Sequence, residues 1–341
     1  MSTVQSGAAE RRPAPGHRPQ SARSPVRRRP LTASRRENRA GLAFVTPTFV
    51  VVLVVVVLPI LWTVLLAFQH AKLVDIQGMG LFGNWSLDNF SLVFGSAGFW
   101  SSLTTTLAYT AGGTAGSVLL GLVAALALRR PFRGRGLLRG AMLLPYVAPV
   151  VAVAFVWEVA LSPQYGIVND WGRRLFGWDD PLAFLSTRQY EVALFGWHFG
   201  IPLALLTVIA FECWRYFPFA FLFILARLQA VPDGLEEAAK VDGATPLQRF
   251  RHVVLPQLMP VIALLCVLRG IMTFNKFDDV YLLTGGGAGT DVAAIRVYDF
   301  LTARYDVGAA AAQALVLAAV LMVLLGLYFT FFGKKVQEES S

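Results

Sequence analysis

Uninterrupted apolar runs dominate the pattern along the chain. They fall at roughly 42–68, 103–128, 138–161, 201–228, 253–276 and 307–333, with polar connections between them. Each run is long enough for a helix of about 20 apolar residues, the length that crosses a bilayer core. The pattern predicts an all-α integral membrane protein with six transmembrane helices. The first run is uncharged from Gly41 to Gln69. That is too long for the apolar part of a cleavable signal peptide, so it is expected to stay as the first span. Gly112 and Gly116 form a small-xxx-small pair in the second run, which suits close helix packing.

Composition agrees with this pattern. Hydrophobic residues make up 55% of the 341 and charged residues 15%, against a usual charged share of about 25%. A soluble enzyme of this length needs more charge to cover its surface. The formal net charge is +9, which raises the question of a nucleic-acid partner. Its location answers that question. Residues 1–40 carry ten Arg and two Glu, and residues 41–341 carry 20 basic and 19 acidic residues. The body is almost neutral, and no nucleic acid is expected as a partner. The tail 1–40 also carries Pro13, Pro15, Pro19, Pro25 and Pro30. That composition cannot bury a core and is expected to be disordered. Its arginines suit anionic membrane lipid, at about 1 kcal/mol per basic residue near the surface. The expected organisation is therefore a tail at 1–40, a six-span domain at 41–334 and a short tail at 335–341.

The loops set an orientation. The 129–139 loop holds Arg129, Arg130, Arg133, Arg135 and Arg139 and no acid. Basic loops stay on the cytoplasmic side, so the N-terminus and, after six spans, the C-terminus are expected there. The loops at 69–102, 162–200 and 277–306 then face outward, and they are mixed or acidic.

Several chemical signatures fail. The run Thr284-Gly285-Gly286-Gly287-Ala288-Gly289 lacks the Gly-Lys-Ser/Thr of a phosphate-binding loop, since Thr290 and Asp291 follow it. It reads as a turn needing positive φ. Cys213 and Cys266 both lie in apolar stretches and give neither a disulfide framework nor a metal site. Catalytic residues are expected to be none, metal ligands none, and cofactors none bound by this chain.

The most informative stretch is Val231–Pro256. Asp233 is placed as an N-cap with Glu236 three residues on, a capping box. The helix they open is expected to run to about Asp242 and stop at Gly243, a natural C′ residue. Thr245 caps a second helix, with Pro246 at its first position and Gln248 at its third. A corner this ordered either positions two spans or offers a surface to a partner, with Ala238 and Ala239 beside Glu237 allowing close approach.

This segment resembles the EAA signature of inner-membrane permease subunits of binding-protein-dependent ABC importers. The matching residues are Glu237-Ala238-Ala239, then Gly243, then Val253, Leu255 and Pro256, with Val in place of Ile as the only departure. Further features resemble the maltose and glycerol-phosphate type of carbohydrate permease. They are Trp214 with Pro218, Asp242-Gly243-Ala244, and Phe277-Asp278 leading to the glycine run, where Ala288 stands in a place the family often gives to Pro. The resemblance covers roughly 42–334. It implies a cytoplasmic coupling (EAA) helix that docks on an ATPase subunit, assigned to residues 233–250. Glu237, Ala238, Ala239, Asp242, Gly243, Leu255 and Pro256 carry that role. It also implies partners: a second six-span permease, a cytoplasmic ATPase dimer that holds ATP and Mg, and an extracellular solute-binding protein. The expected location is the bacterial cytoplasmic membrane.

Two helix faces carry charge inside the spans. Glu212, Arg215, Tyr216 and Phe219 follow i, i+3, i+4, i+7, and so do Arg269, Met272, Thr273 and Lys276. A charge near the bilayer centre costs about 2.5–3.5 kcal/mol on insertion scales, so such residues face a cavity or a partner. The resemblance places a sugar site at Glu212, Arg215, Tyr216, Phe219, Met272, Thr273 and Lys276. The alternative is an intrahelical Glu212–Arg215 ion pair lining an interface with a sister subunit. The expected function is the pore-forming subunit of an ATP-driven sugar importer. The alternatives are a permease for glycerol phosphate, an osmolyte or an amino acid, or a membrane scaffold or enzyme.

Overall fold

The computed structural model describes residues 31–74, 83, 85–194 and 197–338. The chain divides into two compact units, Met1–Pro59 and Ile60–Ser341. In the first, α1 (Leu31–Val52) runs into a five-residue π-helical turn, Leu53–Val57. Its apolar side chains are exposed, Phe44 at 85% and Val55 at 65%. That surface suits lipid rather than water. The helix begins at Leu31, inside the tail expected to be disordered to residue 40. The helix-breaking prolines end at Pro30, and Leu31–Ala40 carries none. Residues 1–30 lie outside the described residues.

α2 (Leu58–Ala67) follows, then α3 (Asp88–Gly95) and α4 (Phe99–Ala127). α5 (Arg135–Ala141), α6 (Leu144–Val147) and α7 (Val150–Leu161) come next, then the short α8 (Ile167–Phe176). β1 (Tyr190–Leu194) and β2 (Trp197–Ile201) pair antiparallel, with Tyr190 opposite Ile201. The long α9 (Leu203–Gln229) leads to α10 (Asp233–Val241) and α11 (Pro246–Arg249). A π-helical turn, Phe250–Val254, joins these to α12 (Leu255–Phe274). α13 (Asp278–Thr284), α14 (Ala293–Thr302) and α15 (Val307–Glu338) complete the chain. α15 thus continues through residues 335–338, and residues 339–341 lie outside the described residues.

Among the described residues, five helices are long and apolar enough to cross a membrane. They are Leu42–Ala67, Phe99–Ala127, Leu203–Gln229, Pro246–Phe274 and Val307–Thr330. A sixth is reached only if Arg135–Val147 and Val150–Leu161, bent by 94°, count as one span. The third expected span, 138–161, is therefore not a straight helix. Pro149 drives the residue before it out of the helical region, and Ala148 is extended at φ −64°, ψ 143°. The all-α expectation is also corrected by the β1–β2 hairpin. Tyr190, Val192 and Leu194 alternate with Glu191 and Ala193, a period-2 pattern of strand formers.

α4 and α9 pack closely through the glycines of α4. A Cβ on Gly112 would lie 3.1 Å from Ile209, and one on Gly113 would lie 2.7 Å from Cγ of Glu212. At Gly116 it would strike Sγ of Cys213. At Gly121 it would lie 2.6 Å from Cβ of Ala220 and 2.7 Å from the backbone nitrogen of Phe221. Backbone-to-backbone approach is what small residues allow where lipid provides no hydrophobic drive between helices. Below this seam, Val118, Ala125, Phe221, Ile224, Leu258 and Leu265 form an apolar core shared by α4, α9 and α12.

Gly121→Ala is expected to cost about 1–3 kcal/mol, because backbone rather than a movable side chain stands in the way. Gly136→Ala, with nothing within 4 Å, serves as the neutral control. Thermal unfolding in detergent measures both.

Candidate functional site

The two charged faces meet. Glu212 on α9 and Arg269 on α12 are both fully buried and form an ion pair. Thr273 donates to Oε1 of Glu212 at 2.9 Å, and the Tyr109 hydroxyl of α4 donates to Oε2 at 3.0 Å. One carboxylate therefore ties three helices together. The Arg269 guanidinium also lies 4.2 Å from the ring centre of Tyr216, and Lys276 Nζ lies 4.6 Å from the same ring. An aromatic face attracts cations at this range.

A second centre adjoins the first. Asp279 at the start of α13 is fully buried, 3.5 Å from Lys276 Nζ and 3.9 Å from Nε of Arg215. Arg215 donates to the carbonyls of Pro145 and Ala148 at 3.4 and 3.1 Å. Those carbonyls lie where α6 gives way to the bend before α7, so the break in the third span supplies acceptors to a buried cation. Lys276 also reaches Asp278 at 3.1 Å, and the Asp278 side chain is 46% exposed. Arg215, Arg269 and Lys276 thus balance Glu212, Asp278 and Asp279. Buried charges are tolerable when paired in this way.

The intrahelical Glu212–Arg215 pair, the alternative to a substrate-facing stripe, does not form. Glu212 turns to Arg269, and Arg215 turns to Asp279. At Glu212 the distant partner comes with hydrogen bonds from Thr273 and Tyr109, which an i,i+3 neighbour on one helix cannot supply; Arg215 meets Asp279 at 3.9 Å as an ion pair without a hydrogen bond. Of the residues singled out, Glu212, Arg215, Tyr216, Thr273 and Lys276 join one network. Phe219 adjoins the network only through Tyr146, whose ring lies 6.1 Å from Phe219 and 5.9 Å from Tyr216, and it also meets Phe223 at 4.9 Å. Met272 is 39% exposed. The described faces are therefore a closed, mutually paired cluster rather than an open cleft. Sequence reasoning missed Tyr109 and read Asp279 only as a loop acid. The available signals were Tyr109 at i−4 from Gly113, on the glycine face, and the Lys276–Asp279 spacing of i,i+3.

The Val231–Pro256 corner forms nearly as expected. Thr245 and Gln248 make a reciprocal capping box, with bonds of 2.8 and 3.3 Å, and Pro246 opens α11. Gly243 adopts φ 82° after α10. An L side chain at that angle is strained. The start of α10 differs by one residue: Pro232 is the N-cap and Asp233 the first helical residue. The Asp233 side chain lies outside the described residues. Glu236 pairs with Arg129, and the N-cap residue Pro232 has no N–H to offer its carboxylate. Glu237, Ala238, Asp242, Gly243 and Pro256 are exposed, and Ala239 and Leu255 are half-buried. The glycine run is the expected turn, with positive φ at Gly285, Gly286 and Gly289. Ala288 also sits at φ 52°, an angle closed to proline.

Asp279→Asn is expected to destabilise the protein by about 3–5 kcal/mol, since it leaves buried Arg215 without its carboxylate. Asp278→Asn, at a half-exposed partner, is expected to cost about 0–1 kcal/mol. Thermal unfolding of the two purified variants measures the contrast.

Residues 117–338 match the family described as binding-protein-dependent transport system inner membrane component. The chain is 38% identical over 239 residues to the inner membrane ABC transporter permease protein YcjO of Escherichia coli (strain K12), covering 70% of this chain and 76% of that one. It is 32% identical over 304 residues to the trehalose/maltose transport system permease protein MalF of Thermococcus litoralis, covering 88% and 94%. Its fold is similar to that of a bacterial ABC transporter involved in the import of the acidic polysaccharide alginate. The TM-score there is 0.72, at 23% identity, over 88% of this chain and 97% of that one. The matched region takes in Gly121 of the seam, the charged residues of the buried cluster from Glu212 to Asp279 and the Thr245 corner, and the chain belongs to this family of ABC transporter permease subunits.

Proposed function

We propose that this chain is the pore-forming subunit of an ATP-driven importer that moves a carbohydrate delivered by an external solute-binding protein. The observation that carries the reading is the corner made by α10 and α11. It leaves Glu237, Ala238, Asp242 and Gly243 exposed, with Leu235 45% and Val241 87% exposed beside them. Apolar residues this bare, beyond the end of a membrane helix, call for a protein partner. The partner in this reading is a cytoplasmic ATPase dimer, which supplies the ATP and Mg chemistry that this chain does not. A second six-span permease would complete the path. Both termini of this chain would then lie on the ATPase side, as the Arg-rich 129–139 loop supports.

A sugar class of substrate is supported by the named trehalose/maltose relative and by the residue types of the buried cluster. Carboxylates and cations suit hydroxyl-rich ligands, and aromatic rings suit sugar faces. In this reading Phe219, Met272 and Lys276 present the substrate-facing surface. Glu212, Arg215, Tyr216 and Thr273 reach the ligand only when α9 and α12 separate during alternating access, because they are closed off while the helices are together.

Two measurements test the function. Gly243→Pro and Glu237→Lys are each expected to abolish uptake while the protein still inserts in the membrane; normal uptake in both refutes the coupling role. The cognate solute-binding protein, titrated against a panel of sugars, amino acids and glycerol phosphate, is expected to bind a sugar. Tight binding of an amino acid alone moves the chain to another solute class.

A further inference from the structure

α10 has almost nothing apolar holding it in place. None of its described side chains is fully buried, and its apolar residues Leu235 and Val241 point outward. A short amphipathic helix of this kind does not keep one orientation by packing. Its chain connections, through Pro232 to α9 and Gly243 to α11, leave rotation about its axis weakly fixed.

One side chain turns inward and is gripped. Glu236 forms an ion pair with Arg129, just past the end of α4, and both side chains are only 24% exposed. Arg129 is itself part of a braced structure. Arg135 donates to the Arg129 carbonyl at 3.3 Å, and Arg139 donates to the Leu128 carbonyl at 2.7 Å. Arginines at these positions satisfy the free carbonyls at the negative end of the α4 dipole. The basic loop 129–139 thus does more than fix topology. Two of its arginines, Arg135 and Arg139, brace the end of α4, and a third, Arg129, extends to α10.

We infer that Arg129 is a positioning residue for the ATPase-docking face, acting through Glu236. With Glu236 held inward, Glu237 and Ala238, one and two residues on, are turned outward. α4 is a single rigid helix, and Tyr109 on it binds Glu212. Arg129 therefore also joins the docking helix to the helix that carries the buried cluster, beside the direct route through α11 and α12. This inference rests on the reading of α10 as the docking helix.

The test uses the full chain, tagged and co-expressed with its cognate sister permease and ATPase chains. It reads the ATPase retained per inserted permease. Arg129→Glu and Glu236→Arg are each expected to lower retention roughly tenfold, the change that about 1.4 kcal/mol produces. The double charge swap is expected to restore it, and Arg129→Lys to keep most of it. Normal retention in both single reversals overturns the inference, and so does failure of the charge swap to rescue. Normal retention in Gly243→Pro and Glu237→Lys refutes the docking reading itself, whatever Arg129 does.

Discussion

A bilayer core supplies no water and no counter-ion, so a carboxylate placed there has to find its cation inside the protein. Glu212 finds Arg269, and much of the structure follows from letting those two groups meet. The pair needs α9 and α12 adjacent at that depth. The hydrogen bond from Tyr109 needs α4 closer still. The glycines at 113, 116 and 121 provide that closeness, since a single Cβ at any of them would strike α9. The seam and the ionic cluster therefore belong to one design. Removing the glycines would pull Tyr109 off the carboxylate, and removing the carboxylate would leave a buried guanidinium beside a tyrosine ring.

The break in the third span has the same logic. Pro145 and Pro149 interrupt the helix, which in a membrane leaves polar backbone groups to be satisfied. The Arg215 guanidinium takes up the Pro145 and Ala148 carbonyls. A structural defect in one helix and a buried charge in another thus solve each other's problem, and Asp279 balances the charge that remains.

Local features were readable from the chain where a local rule decides them. Thr245, Pro246 and Gln248 form a cap because their spacing suffices, and Gly243 turns because only its neighbours matter. The Gly112–Gly116 pair signalled close packing because small residues do so in any membrane helix. Pairing across helices was not readable in this way. Glu212 had a plausible partner one turn away in Arg215, and the one it takes lies 57 residues on. Glu236 likewise takes a distant partner, Arg129, 107 residues away. The hairpin at 190–201 carries a period-2 alternation in its first strand, but two five-residue strands between long apolar runs give too short a pattern to stand out from a loop.

The most direct test of this account is a double-mutant cycle on the central pair. Glu212→Gln, Arg269→Gln and the double variant would be unfolded thermally in detergent, with the change in stability taken from each. Groups in one buried network are expected to couple by about 0.5–3 kcal/mol. The double variant should then cost clearly less than the sum of the two singles, because each single leaves a lone buried charge. Strict additivity would show that Glu212 and Arg269 act independently, and would contradict the claim that their meeting organises α4, α9 and α12.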